Sequence, residues 1–261
     1  MEVAELAVTP CRFTLAVWRI TFAPQSFMDR FLDLPLRRDT QDLHFVRTSI
    51  VAALKEAIPM FHGLFLDVGC GVQPYRSLIE GAGSRVSGYL GLDLEQSVAS
   101  SYAKVTPDLF WDGTSIPSGP DRFGSAMATE VLEHCPDPNA VLAEVFRVLK
   151  PGGVLFISVP FLWPLHDVPH DEYRYTPFAL ERMLRETGFT DLRVKPYGGW
   201  DASLAQMLGL WVRRRPMPAA RRKLLSGITL PVVRFLLSHD RHVPLSTSPM
   251  ICGVTALAIK P

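Results

Sequence analysis

Between Leu64 and Val194, short apolar runs alternate with stretches whose apolar residues recur every three or four positions. That pattern marks buried strands interleaved with amphipathic helices. The runs predict strands over 64–68, 88–93, 106–110, 124–128, 153–159 and 190–195, and a last apolar run covers Cys252 to Ile259. The helical period is clearest from Pro138 to Leu149, where Val141, Leu142, Val145, Phe146 and Leu149 share a face and Lys150-Pro151-Gly152-Gly153 ends the run. Alternation of this kind predicts an α/β fold: a doubly wound, Rossmann-like sheet of about seven strands with helices on both faces.

The flanks read differently. Residues 1–60 lack strand-and-glycine alternation and predict a helical N-terminal cap, with Phe13, Leu15, Val17, Trp18 and Ile20 in its first piece and Phe45, Val46, Ile50, Val51 and Leu54 in its last. Trp18, Phe27, Phe31 and His44 are the cap's candidates to face a ligand, although helical apolar stripes are usually packing. Before the last apolar run lies an insertion, residues 198–250. From Ala202 to His239 it holds no acid, while Arg213, Arg214, Arg215, Arg221, Arg222, Lys223 and Arg234 stand among large apolar residues. Apolar faces with basic flanks suit a peripheral membrane contact through 202–239 or an anionic substrate handle; ordinary lid helices with a solvated basic edge are the plainer reading. Pro216, Pro218 and Pro231 are expected to cut the segment into short pieces.

With 261 residues, 48% of them hydrophobic, the chain can bury one substantial core. The organisation expected is a single domain over 61–261 that carries the 1–60 cap and the helical insertion. The net charge of +1 gives no global pull toward nucleic acid. Cys11, Cys70, Cys135 and Cys252 form no close pair, which argues against a zinc knuckle or disulfide framework and points to the reducing cytoplasm. No leader pattern and no run of ~20 uncharged apolar residues is visible.

The densest chemistry begins at Leu64-Phe65-Leu66-Asp67-Val68-Gly69-Cys70-Gly71, where an apolar run ends in an acid and then in two glycines. A strand opening into a side-chain-free turn is where a doubly wound sheet holds an adenosine-containing cofactor. Pro74 to Glu80 then predicts a helix whose N–H groups aim back at the ligand. Asp93 closes the next apolar run about one βαβ unit later, where an acid accepts from ribose hydroxyls. A dinucleotide fold wants a third small residue three places after Gly71, but Pro74 stands there, so the turn suits a ligand without a pyrophosphate.

Five blocks stand in order: Leu66-Asp67-Val68-Gly69-Cys70-Gly71, Gly91-Leu92-Asp93, Trp111-Asp112-Gly113-Thr114-Ser115-Ile116-Pro117, Glu130-Val131-Leu132-Glu133-His134 and Leu149-Lys150-Pro151-Gly152-Gly153-Val154-Leu155. Over roughly residues 60–195 the chain resembles class I S-adenosylmethionine-dependent methyltransferases of the type 11-like kind. The resemblance implies S-adenosyl-L-methionine as cofactor, with contacts from Asp67, Gly69, Cys70, Gly71, Asp93, Leu94, Asp112, Gly113 and Glu130. Asp67 would orient the turn or receive the ammonium, and Asp112 would accept from the adenine amino group. Each aspartate could equally serve as a turn or capping residue. The resemblance also places Cys252–Ile259 antiparallel at the sheet's edge.

The resemblance implies methyl transfer to oxygen or nitrogen of a small molecule, with a lean to a metabolite or saccharide hydroxyl. Such a hydroxyl must lose its proton, and histidine is the natural acceptor near neutral pH. His166 and His170 are the candidates, with His134 behind them; Tyr173, Arg174 and Tyr175 either orient substrate or dock the loop. A similar E-x-x-E-H run binds a divalent metal in small-RNA 2′-O-methyltransferases and some quinone-pathway O-methyltransferases. The corresponding set here is Glu130, Glu133 and His134 with a fourth ligand from His166, His170 or Asp171, Asp171 being the one taken, an oxygen and imidazole mixture suited to Mg²⁺, Mn²⁺ or Zn²⁺. Two other classes compete. A nicotinamide-dependent oxidoreductase is disfavoured by Pro74, and a non-catalytic module docking on anionic membrane or nucleic acid through 202–239 is disfavoured by the intact acids at 67, 93 and 112.

Overall fold

The computed structural model describes residues 31–95, 105–241, 244–247 and 249–261. Seven strands form one sheet in the order β3-β2-β1-β4-β5-β7-β6. They are β1 His62–Val68, β2 Arg85–Leu94, β3 Leu109–Trp111, β4 Phe123–Thr129, β5 Leu149–Pro160, β6 Thr190–Tyr197 and β7 Gly253–Ile259. All adjacent pairs are parallel except those made by β7, which runs antiparallel to both β5 and β6. The helices are α1 His44–Ala57, α2 Arg76–Ile79, α3 Pro138–Val148, α4 Pro177–Thr187, α5 Trp200–Arg214 and α6 Ala219–His239.

Apolar side chains above and below the central strands seed two cores, one on each face. Leu66, Val68, Ala126, Ala128, Leu155 and Ile157 meet Val141, Leu142 and Val145 of α3 and Leu180 and Leu184 of α4. Phe65, Tyr89, Met127 and Phe156 meet Val46, Ile50, Val51 and Leu54 of α1 on the other face. The central strands are buried on both faces, which is why they read as continuous apolar runs and not as alternating ones. Asp137 caps α3 by accepting from Ala140 N–H, and Thr176 caps α4 by accepting from Ala179 N–H.

Several elements depart from the sequence expectation. The third strand is Leu109–Trp111 and not 106–110, because it is an edge strand that pairs only with Leu92–Leu94, and Asp108 before it is used to accept from Gly91 N–H at 2.8 Å. The last strand does not take the edge itself; β6 adds outside it, pairing with β7 alone. The helix expected over Pro74–Glu80 is a single turn, Arg76–Ile79, too short to carry a useful dipole toward a ligand. Pro231 lies inside α6 without ending it; the helix, packed along α5, spans 21 residues in all despite the missing N–H donor. Trp18 and Phe27 of the expected cap fall outside the described residues. His44 is engaged by the backbone, its Nδ1 bonded to Leu34 O at 2.5 Å, whereas Phe31 lies edge-on to Tyr75, just beyond the glycine turn.

Candidate functional site

The glycine turn leaves the carboxyl end of β1, at the centre of the sheet. Gly69 and Gly71 have φ of +67° and +50°, a region that L side chains rarely adopt. A Cβ on Gly69 would stand 2.5 Å from Cγ2 of Val131, whereas a Cβ on Gly71 would meet no atom within 4 Å. The first glycine is therefore demanded by packing, and the second opens onto free space. Asp93, at the end of β2, pins this turn: its Oδ2 accepts from Gly71 N–H at 2.8 Å and its Oδ1 from Leu94 N–H at 2.7 Å. A carboxylate has about four lone-pair positions, so two remain. Cys70, predicted as a contact, is 2% exposed and stands against Gly91, where it packs the turn on β2.

Asp67 is 1% exposed, accepts from the Tyr89 hydroxyl through Oδ2, and leaves Oδ1 buried with no partner. Burial pushes its carboxyl up to about 7, and the negative charge of Asp93 adds to that push. An acid this desolvated is primed for a cation. Tyr89 and Asp108, which complete the hydrogen bonding here, were not singled out from sequence; only the register that sets β2 against β1 and β3 brings them in.

Asp112 lies beyond β3 and is fully exposed. Its Oδ1 accepts from Thr114 N–H, Thr114 Oγ and Ser115 N–H, each at 2.8 Å, and those bonds hold the carboxyl down at about 2. The turn uses one oxygen. Gly113 follows at φ +86°, with Leu94 Cδ2 3.5 Å from where its Cβ would be, and Leu94 is 37% exposed.

Glu130, the first residue after β4, sits in the left-handed region at φ +56°, a costly conformation for a residue with a side chain. Its N–H donates to Ser158 O and its Oε1 accepts from Ser158 Oγ at 2.8 Å. Desolvation raises its carboxyl to about 7. The neighbouring turn Leu132–His134 carries Glu133, wholly buried with neither oxygen hydrogen-bonded; burial, then the charge of Glu130, drive its pKa far above the usual carboxylate range.

The loop after β5 meets this turn. His134 Nδ1 lies 2.9 Å from His170 O, so that nitrogen carries the proton and Nε2 presents its lone pair toward Glu133 Oε1, 3.7 Å away. Desolvation lowers the His134 pKa, keeping the ring neutral. The His166 ring stands edge-on to it with centroids 4.7 Å apart. His166 Nδ1 faces Asp171 Oδ2 at 3.2 Å, and Arg174 clamps both oxygens of Asp171 at 2.6 and 2.8 Å, holding that carboxyl well below its ordinary range.

The predicted metal set therefore assembles differently. Glu130 is turned to Ser158 and Asp171 to His166 and Arg174, while Glu133, His134 and His166 bring ligand atoms within 4.8 Å of one another. His170 is exposed, and what it lends is its backbone carbonyl. Tyr175 donates to Leu132 O at 2.9 Å and Tyr173 to Pro136 O at 3.2 Å, so both tyrosines dock the loop.

Comparison with known proteins bears on residues 66–157, which match the family model of a methyltransferase domain. A ubiquinone biosynthesis O-methyltransferase of Thiobacillus denitrificans is 31% identical over 151 residues, covering 47% of this chain and 62% of that protein. A malonyl-[acyl-carrier protein] O-methyltransferase of Alcanivorax borkumensis is 30% identical over 129 residues, covering 47% of this chain and 43% of that one. The chain spans about half the length of the curated relatives it matches. A Haemonchus contortus phosphoethanolamine N-methyltransferase 2 in complex with S-adenosyl-L-methionine shares the fold, with a TM-score of 0.52 at 16% identity over 92% of this chain and 60% of that one.

Proposed function

We propose that this chain, whose residues 66–157 match the family model of a methyltransferase domain, moves a methyl group from S-adenosyl-L-methionine to an oxygen or nitrogen of a small molecule, with a lean to a hydroxyl of a metabolite or saccharide. The observation that carries the reading is the turn at the end of β1, where an open glycine, an acid with two lone pairs to spare and a buried unpartnered carboxylate oxygen meet. These residues fit the cofactor. Asp67 would take its ammonium, Asp93 its ribose hydroxyls and the free oxygen of Asp112 its adenine amino group. When bound, the cofactor supplies a methyl group on a positively charged sulfur, so the protein's task is alignment and proton removal.

His166 is the group we assign to proton removal. Asp171 receives its Nδ1–H, which leaves Nε2 free to take the acceptor's proton, and the carboxylate then stabilises the imidazolium that forms. Arg174 keeps Asp171 ionised and fixed in that role. Val131 stands against Gly69 of the turn, and His134, whose N–H donates to Val131 O, stands against His166, so a short run of chain links the glycine turn to the base. A second reading rests on Glu133, His134 and His166: one buried carboxylate without partners and two imidazoles form a donor set that fits Mg²⁺, Mn²⁺ or Zn²⁺.

Calorimetric titration with S-adenosylmethionine, S-adenosylhomocysteine and NADH, with and without Mg²⁺, tests both readings. Micromolar binding of the two sulfur ligands and none of NADH is expected. Binding of NADH alone, or of nothing, overturns the methyltransferase reading, and a heat of metal binding that Glu133→Gln abolishes supports the cation.

A further inference from the structure

Helices α5 and α6 form an antiparallel hairpin that leaves a line of large apolar residues exposed on each helix. The line of α5 that faces the protein holds Ala202, Ser203, Ala205, Gln206 and Gly209, and that of α6 holds Ser226, Thr229 and Val233. Small and polar side chains suit this seam because it is hydrogen-bonded: Gln206 donates to Asp42 O at 2.8 Å, Thr229 to Gln41 Oε1 at 2.8 Å, and Gln41 to Ser226 O at 2.9 Å. Leu210 and Val212 join the buried side of α5, but eight large apolar residues point the other way. Trp200, Leu204, Met207 and Trp211 follow one line of α5 at 60, 53, 50 and 40% exposure, and Leu224, Ile228, Val232 and Phe235 follow one line of α6 at 65, 57, 46 and 60%. A helix in water turns such a stripe inward. Two adjacent helices that both turn it outward mark a surface built for an apolar partner.

Charge narrows the choice of partner. Arg213 and Arg214 reach Asp42 at 4.0 and 2.6 Å, but Arg215, Arg221, Arg222, Lys223 and Arg234 have no carboxylate partner among the described residues. Arg38 and Lys223 flank a groove of about 470 Å³ whose lining also includes Leu224 and Ile228, two cations over an apolar floor. No helix among the described residues is long and apolar enough to cross a membrane. We propose that this hairpin docks in the surface of an anionic lipid bilayer, its apolar lines entering the acyl boundary and the exposed cations Arg221, Lys223 and Arg234 meeting headgroup phosphates. Nucleic acid would use the cations and leave aliphatic Leu204, Leu224, Ile228 and Val232 without a role.

The test is sedimentation of the full chain with phosphatidylcholine vesicles, with or without phosphatidylglycerol. No cofactor is involved, so the result stands apart from the proposed methyl transfer. Binding only to the phosphatidylglycerol vesicles is expected, falling about 100-fold in Arg221→Glu/Lys223→Glu/Arg234→Glu protein and lost in Leu224→Glu/Ile228→Glu/Phe235→Glu protein. In the unaltered chain, brominated acyl chains should quench fluorescence that the Trp200→Phe/Trp211→Phe variant lacks, a readout independent of whether the charged variants fold. Absence of binding and quenching overturns the proposal. So does a dimer that dissociates when the apolar line is replaced, which would assign the face to a second copy, or binding to a single-stranded oligonucleotide in place of vesicles.

Discussion

Gly69 and Gly71 share a left-handed backbone two residues apart, yet they answer to different demands. An alanine at 69 meets Val131 as well as the backbone penalty, so Gly69→Ala should cost about 3 kcal/mol of unfolding free energy, read from urea denaturation. At 71 the backbone penalty stands alone, about 1–2 kcal/mol, and the methyl group enters open space that we propose the cofactor fills. Gly71→Ala should therefore stay folded and lose cofactor affinity in calorimetry. Asp67 gives a prediction with a pH sign. In the folded protein its carboxyl holds a proton up to about pH 7, whereas the unfolded chain releases that proton near the ordinary aspartate value of 3.8. The unfolded state thus binds fewer protons in that window, and stability falls as pH rises through it. Glu130 and Glu133 add to the same fall, so Asp67→Asn should remove about one proton's share of the slope between about pH 4 and 7; an unchanged slope would remove Asp67 as a contributor.

At the scale of elements, the α5–α6 hairpin is closed by its own far end. Asp240, just past α6, accepts from Gly199 N–H at 3.0 Å and Ala202 N–H at 2.9 Å, doing for α5 what an N-cap side chain does locally. Asp240→Ala should cost about 1–2 kcal/mol and speed amide exchange at 199–203 while leaving β4 protected. This bond joins residues that sequence reading keeps apart, which is the general limit here. The central strands were legible because burial on both faces writes an apolar run into the chain. Leu109–Trp111 was misplaced because an edge strand of three residues leaves almost no pattern. The continuity of α6 was missed because Pro231 is a local signal and the packing along α5 is not. In the site, Asp67, the two glycines and Asp93 stand on consecutive motifs and were readable; the pairing of His166 with Asp171 and Arg174, and the turning of Glu130 to Ser158, depend on side-chain rotations that spacing does not encode.

For the molecule as a whole, the proposed cofactor binding would be linked to folding. S-adenosylhomocysteine at ~100 times its Kd should stabilise the protein by about 2.7 kcal/mol, roughly 5–10 °C in Tm for a domain of this size. Asp93→Ala, which removes the proposed ribose acceptor and frees Gly71 N–H, should weaken binding by ~1–3 kcal/mol and erase most of that rise at the same ligand concentration. A full thermal shift in the variant would take Asp93 out of the ribose role.

The antiparallel course of β7 beside β6 has a topological consequence. Tyr197 and Gly253 are register partners, so the ends of the segment they bracket stand only about 5 Å apart. A tight Asn-Gly turn could join those two strands directly, and everything in 198–252 is therefore a detour that leaves the sheet and returns to the spot it left. Such a detour can lengthen, shrink or be exchanged between chains without disturbing strand order, which makes it the part of this molecule most open to carrying a destination while the chemistry at the other strands stays as it is.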